Sequence, residues 1–149
     1  MMPELDLENI LKSVRLQDGG LVEIHVLDTS FDDWAAVVTC LQEAGYVTSL
    51  TYAGQRVTGG LSAAMFTEGH DAGYTLEIKV GEQQTWTTGL YSEDAIDLQG
   101  DPRSIKSSTD LTEVVGVMNL ISTATGKTVV LLPETLDPKN TRPYLAVQR

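Results

Sequence analysis

The alternation of apolar and polar residues between positions 74 and 99 constrains the fold of this chain more than any other feature. Leu76, Ile78 and Val80 alternate with polar residues, and short polar breaks follow at residues 81–83 and 92–94. Successive side chains of a strand point to opposite faces, so this pattern is typical of an antiparallel meander with one buried face. The buried face needs a cover, which predicts helices on one side of the sheet.

Two segments have the apolar spacing of helices that could form this cover, at about residues 31–44 and 110–124. Ser30 is the expected N-cap of the first helix, and Thr109 or Asp110 is the expected N-cap of the second, because these side chains accept hydrogen bonds from the first N–H groups of a helix.

The region before the first helix predicts an N-terminal hairpin. Apolar-rich runs at residues 13–16 and 21–27 flank the pair Asp18 and Gly19. Such a pair favours a tight turn, because glycine accepts the positive φ that the turn requires.

Further strands are expected at residues 46–52 and 61–67, between the first helix and the alternating segment. The predicted fold is therefore a single α+β domain over residues 1–149. Its mainly antiparallel sheet, a meander at about 61–99 plus the N-terminal hairpin, is expected to pack against the two helices.

The charge of the chain limits the kinds of partner it can have. Its 21 acidic and 10 basic residues give a formal net charge of −11. Nucleic acid and anionic membranes require a basic surface, so neither is expected as a partner. An acidic surface suits a basic protein, although the same charge also serves to keep a protein in solution.

The sequence indicates neither a signal peptide nor a membrane-spanning segment. Its single cysteine cannot form an internal disulfide and favours a reducing compartment. The acidic N-terminal segment lacks the basic and apolar regions of a signal peptide. Apolar runs such as residues 129–132 are far shorter than the ~18 residues of a membrane span. The expected location is the cytoplasm.

One segment resembles part of a phosphate-binding loop but does not satisfy its requirements. Gly126, Lys127 and Thr128 match the end of that motif, which needs another glycine where this chain has Ile121. The motif must also precede a helix, whereas here it follows one. We therefore expect no nucleotide site, and no other motif indicates a cofactor or a bound metal.

A few residues could take part in catalysis or ligand binding. Glu68, His70 and Asp71 lie together in one turn and would form the site of a small enzyme or ligand-binding protein, in a cleft between sheet and helices. A solvated turn explains the same residues. His25 alternates with core-facing residues and is expected at the surface, and Cys40 is expected to have a structural role.

Acidic and aromatic residues lie close together near the end of the meander. The expected partner-binding residues are Tyr91, Glu93, Asp94, Asp97 and Asp101. Aromatic anchors within a charged surface are typical of protein-binding patches. Solvated loop charges beside a buried tryptophan are the alternative interpretation.

These observations favour a small acidic protein that binds another protein. An immunity or antidote protein, which blocks a basic toxin or nuclease, is an example known from bacteria, and such proteins are similar in size and acidity. The alternatives are the small enzyme or ligand-binding protein described above and a structural subunit of a larger assembly. The absence of a catalytic motif favours a binding protein over an enzyme.

Overall fold

The sheet contains eight strands among the residues that the computed structural model describes, which are 6–15, 20–66 and 73–148. They are β1 (Val22–Leu27), β2 (Thr48–Tyr52), β3 (Gln55–Arg56), β4 (Tyr74–Val80), β5 (Gln84–Thr88), β6 (Ala95–Gly100), β7 (Val129–Pro133) and β8 (Leu145–Val147). Their order is β3-β2-β4-β5-β6-β1-β7-β8, and neighbouring strands are antiparallel. Three helices are α1 (Leu7–Arg15), α2 (Phe31–Glu43) and α3 (Ser108–Thr125), and residues 63–66 are also helical. The predicted single α+β domain is confirmed.

The alternating segment forms the middle of this sheet, as predicted. Leu76, Ile78 and Val80 of β4 are buried, and Ile78 lies opposite Trp86 of β5. The turn between the two strands begins at Gly81, whose φ of 61° is one that glycine adopts without strain. The expected strand at residues 46–52 is present as β2, which pairs with β4.

The predicted N-terminal hairpin is wrong. Residues 7–15 form α1, and β1 pairs with β6 and β7 instead of with the segment before it. Leu11 and Val14 are both buried, and their spacing of three residues puts them on one face of a helix. This face contacts α3 and the 3₁₀ turn Pro102–Ser104. The expected turn residues Asp18 and Gly19 lie outside the described part of the chain.

The predicted strand at residues 61–67 is also wrong over the part of it that the structure describes, residues 61–66. Residues 63–66 are helical, and Thr67 lies outside the described residues. Met65 and Phe66 are adjacent and both buried, which the alternating geometry of a half-buried strand does not allow. The Phe66 ring lies 5.0 Å from that of Trp34 in α2, so this segment packs on the start of the helix.

The two longer helices cover one face of the sheet and contact each other. Ser30 caps α2 as predicted, within a capping box that includes Asp33. The cap of α3 is Ser107 and not the predicted Thr109 or Asp110. Its side chain accepts the N–H of Asp110 at 3.2 Å. In the described part of the chain, none of the helices combines the length and the apolarity that crossing a membrane requires.

Candidate functional site

The five predicted partner-binding residues lie in three different places. Tyr91, Glu93 and Asp94 belong to the loop between β5 and β6, Asp97 is within β6, and Asp101 follows that strand. At ~3.3 Å per residue, Asp94 and Asp101 are separated by roughly 20 Å. The structure therefore brings the first three together and places Asp101 at the opposite end of β6.

Asp101 forms an ion pair with Arg103. Its carboxylate accepts hydrogen bonds from Arg103 Nε and Nη2, at 2.9–3.2 Å, and these bonds hold the pKa of Asp101 below its usual value. A carboxylate that is already paired contributes less to the attraction of a distant basic partner. Asp101 thus differs from the residues of the β5–β6 loop in both position and charge environment.

In the loop before β6, an unusual backbone conformation at Leu90 turns Tyr91 outward. Leu90 has a φ of 55° and is fully buried, and its N–H donates to Thr88 Oγ1. Tyr91 is 52% exposed. Its ring lies against Gly89, where a Cβ atom would be 2.5 Å from Tyr91 Cζ. The loop thus presents an aromatic ring at the surface, next to Gly89.

Two acidic loops lie side by side at this end of the sheet. Thr29 donates its backbone N–H to the carbonyl of Asp94 at 3.0 Å and its hydroxyl to the carbonyl of Glu93. Thr29 lies between Asp28, at the end of β1, and Asp32, in the first turn of α2. We refer to Asp28, Asp32, Glu93 and Asp94 together as the acidic end. The sequence shows these acids as separate pairs, and the Thr29 contacts join them.

The carboxylates of the acidic end are mostly exposed. Asp28, Asp32 and Asp94 are exposed and Glu93 is partly buried. Asp28 has a φ of 58°, which aspartate tolerates better than most residues. Asp33 does not belong to this group, because its carboxylate accepts the Ser30 N–H and lies 4.0 Å from Lys127 Nζ. The acidic end therefore presents exposed negative charge beside Tyr91.

A shallow pocket of about 200 Å³ adjoins the acidic end. Tyr91, Ser92, Glu93 and Asp94 line it, together with the buried ring of Phe66. An aromatic floor with an acidic rim can hold the aliphatic stem of a lysine or arginine while its charge meets the carboxylates.

A second polar group lies on the outer face of the sheet, the face opposite α2 and α3. His25 of β1 is opposite Asp97 of β6, and the neighbouring Glu23 accepts a hydrogen bond from Gln99 Nε2 at 3.1 Å. His25 is only 7% exposed, so the expectation of a surface histidine is wrong. The alternation placed His25 on the correct face, but the sequence does not show what covers that face.

Burial changes the proton affinity of these three groups. It lowers the pKa of His25 and raises that of Glu23. For Asp97, burial and then the nearby Glu23 carboxylate raise the pKa to about 6. A protonated Asp97 could donate a hydrogen bond, whereas at neutral pH the ionised form predominates.

A cavity of about 420 Å³ opens beside His25. It is lined on the sheet side by His25, Leu27 and Val130, and Pro138 lines it from the loop after β7. Asp28 and Lys127 supply a carboxylate and an ammonium group. Nδ1 of His25 is buried without a hydrogen-bond partner among the described residues.

The other candidates from the sequence are not supported as sites. Glu68, His70 and Asp71 lie outside the described residues. Gly126 ends α3 with a φ of 71°, so Lys127 follows a helix C-terminus, which does not favour phosphate. Across residues 6–15, 20–66 and 73–148, no group of three His, Cys, Asp or Glu side chains could hold a metal ion.

Comparisons of this chain with protein-family models, curated proteins and solved structures found no significant match.

Proposed function

We propose that this protein binds a basic protein through its acidic end and Tyr91, as an immunity or antidote protein does when it blocks a toxin or nuclease. The observation that carries this proposal is the pair of hydrogen bonds from Thr29 to Glu93 and Asp94. They hold two acidic loops together, so that charges far apart in the sequence act on one partner.

The charge of the acidic end supports a basic partner. Complementary potentials raise association rates, and like charges brought together on one surface increase that potential. The net charge of −11 adds a long-range attraction of the same sign. In this proposal Asp97 and Asp101 lie beyond the centre of contact, because one is half-buried on the outer face and the other pairs with Arg103.

The position of Tyr91 supports a protein rather than a free ion as the partner. A tyrosine held in one orientation loses little conformational entropy on binding, and such residues are frequent hot spots of interfaces. Contact between Tyr91 and Gly89 removes part of the orientational freedom of the ring before a partner binds. The pocket beside Phe66 gives the partner a place for one basic side chain.

The test is affinity capture from the source cell with two variants that remove equal charge. The first carries Asp28→Asn, Asp32→Asn and Asp94→Asn, and the control carries Glu8→Gln, Glu43→Gln and Glu82→Gln. All six residues are exposed, and each variant changes the formal charge by three, from −11 to −8. We expect the wild type and the control to capture the same basic protein and the first variant to lose most of it.

Tyr91→Ala tests the aromatic contribution separately, and we expect it to weaken binding by about 1–3 kcal/mol. Equal capture by both charge variants would contradict the proposed surface. A wild-type protein that captures no basic protein at all would contradict the proposed function.

A further inference from the structure

The cavity beside His25 has the size of a small-molecule site. Its volume is about 420 Å³, within the range of roughly 300–1,000 Å³ that ligand pockets occupy. It lies between the outer face of the sheet and two connections, the one after α3 and the one after β7. The lining residues are His25, Leu27, Asp28, Gly126, Lys127, Thr128, Val130, Pro138 and Gln148.

Among the described residues, the charges around this cavity are mainly negative. Asp28 lines it with an exposed carboxylate, and Glu23 and Asp97 lie beside His25 on the same face of the sheet. Lys127 is the cationic residue among the described lining residues, and its Nζ atom is already 4.0 Å from the Asp33 carboxylate. A cation is therefore favoured over an anion as the occupant.

The imidazole of His25 adds a hydrogen-bonding group to the cavity wall. The side chain is more than nine-tenths buried, and its Nδ1 atom has no partner within the described part of the chain. Burial lowers the pKa of this group, so the neutral ring predominates at pH 7. A neutral imidazole has one nitrogen that donates and one that accepts a hydrogen bond, so the ring is able to accept a hydrogen bond from an N–H group of a ligand.

We propose that this cavity binds a small organic cation, a primary ammonium or guanidinium group on a short aliphatic chain. The cationic group would lie near Asp28 and the imidazole of His25. The aliphatic chain would contact the apolar wall formed by Leu27, Val130 and Pro138. Asp28 belongs both to this site and to the acidic end, but His25, Leu27, Val130 and Pro138 belong to this site alone.

The test is an NMR titration with agmatine, which carries both cationic groups on a four-carbon chain. The chain contains two histidines, His25 and His70, so the ring signals of both residues are followed in the same titration. We expect agmatine to shift the His25 signals in a saturable manner. Glutarate, a compact dicarboxylate, is the matched ligand of opposite charge and should leave them unchanged.

Three variants test the sign of the charge effect. Asp28→Asn should weaken agmatine binding by about fivefold or more, since it removes a nearby opposite charge, and asparagine also tolerates the φ of 58° at this position. Lys127→Gln should leave binding unchanged or strengthen it. Glu43→Gln removes an equal charge from the far end of α2 and should change binding less than twofold.

Three results would overturn the proposal. They are binding of glutarate in preference to agmatine, loss of agmatine binding in Lys127→Gln, and no saturable shift of His25 up to about 20 mM agmatine. A second titration, with the peptide acetyl-Ala-Arg-Ala-amide, distinguishes two sources of the cation. Binding of both probes would indicate an arginine side chain of another protein, and binding of agmatine alone would indicate a free amine.

Discussion

Gly100 is a residue whose replacement the core does not tolerate. A Cβ atom at this position would lie 2.8 Å from Cδ2 and Cε2 of Trp86, closer than such contacts occur. Trp86 is buried, and its Nε1 donates to Gln84 Oε1 at 3.1 Å, so the ring cannot easily move. We expect Gly100→Ala to lower the free energy of unfolding by about 1–3 kcal/mol, measured by urea denaturation.

Gly116 provides the matched control for this substitution. A Cβ atom there would meet the Tyr46 hydroxyl at 3.6 Å, an ordinary contact, and alanine favours the helix in which Gly116 lies. Gly116→Ala should raise the free energy of unfolding by up to about 1 kcal/mol. Equal stability of Gly100→Ala and the wild type would show that Trp86 has another position available.

Asp97 gives the protein a specific dependence on pH. Its pKa is raised to about 6 in the folded protein, chiefly by burial and then by Glu23, compared with ~3.9 in an unfolded chain. Between these values the folded state binds more protons than the unfolded state, so stability falls as the pH rises from about 4 to about 6. The ionised Asp97 of the folded protein is therefore destabilising at neutral pH.

Asp97→Asn should remove this contribution. We expect the variant to be more stable than the wild type by about 1–2 kcal/mol at pH 7, after allowance for solvent screening. Asparagine can still accept the hydrogen bond from Thr88 Oγ1. The measurement is the free energy of unfolding of both proteins from pH 4 to 7.5. Their difference should grow with pH, whereas the lowered pKa of His25, with the opposite slope, affects both proteins. Parallel profiles would contradict this role of Asp97.

At the scale of elements, the sequence correctly predicted the helices and strands that local patterns determine. The alternation of β4 and the N-cap Ser30 of α2 involve residues close together in the chain, and both predictions are confirmed. The segment of α1 is short and its residues fit either a strand or a helix. Contacts with α3 and the Pro102–Ser104 turn, about 90 residues away, favour the helix. No local signal could reveal these contacts.

The candidate site was only partly predictable for the same reason. The high local density of acidic and aromatic residues indicated Tyr91, Glu93 and Asp94 as partner-binding residues. The positive φ of Leu90 occurs at a residue that is neither glycine nor asparagine, so the sequence does not predict that the chain turns Tyr91 outward there. The hydrogen bond from Thr29 joins residues 64 positions apart, which is why Asp28 was not predicted.

Substitutions in α1 test its helical packing. Leu11→Ala and Val14→Ala should each lower the free energy of unfolding by about 1–4 kcal/mol, because both side chains are buried. Lys12→Ala and Ser13→Ala, at exposed positions between them, should change it by less than about 0.5 kcal/mol. Urea denaturation of the four variants provides the measurement. A large effect at Lys12 or Ser13, with none at Leu11, would contradict the helix.

At the scale of the whole molecule, the net charge of −11 opposes folding by self-repulsion. Screening reduces this repulsion, since the Debye length falls from about 30 Å at 0.01 M salt to about 3 Å at 1 M. We therefore expect the free energy of unfolding to rise with NaCl concentration. The stabilisation by salt should come mainly from the acidic end, where Thr29 holds two groups of carboxylates together.

The two charge variants used to test partner binding also measure this repulsion. At low salt, neutralising Asp28, Asp32 and Asp94 should stabilise the protein by a few tenths of a kcal/mol more than neutralising Glu8, Glu43 and Glu82, and the difference should vanish at high salt. Thermal unfolding at several NaCl concentrations provides the measurement. Such a difference would mean that the carboxylates of the acidic end lower the free energy of unfolding more than carboxylates elsewhere on the surface. This is expected of charges that serve to bind a partner. Equal stabilisation by both variants would mean that the charge acts evenly over the surface, which would support its role in solubility instead.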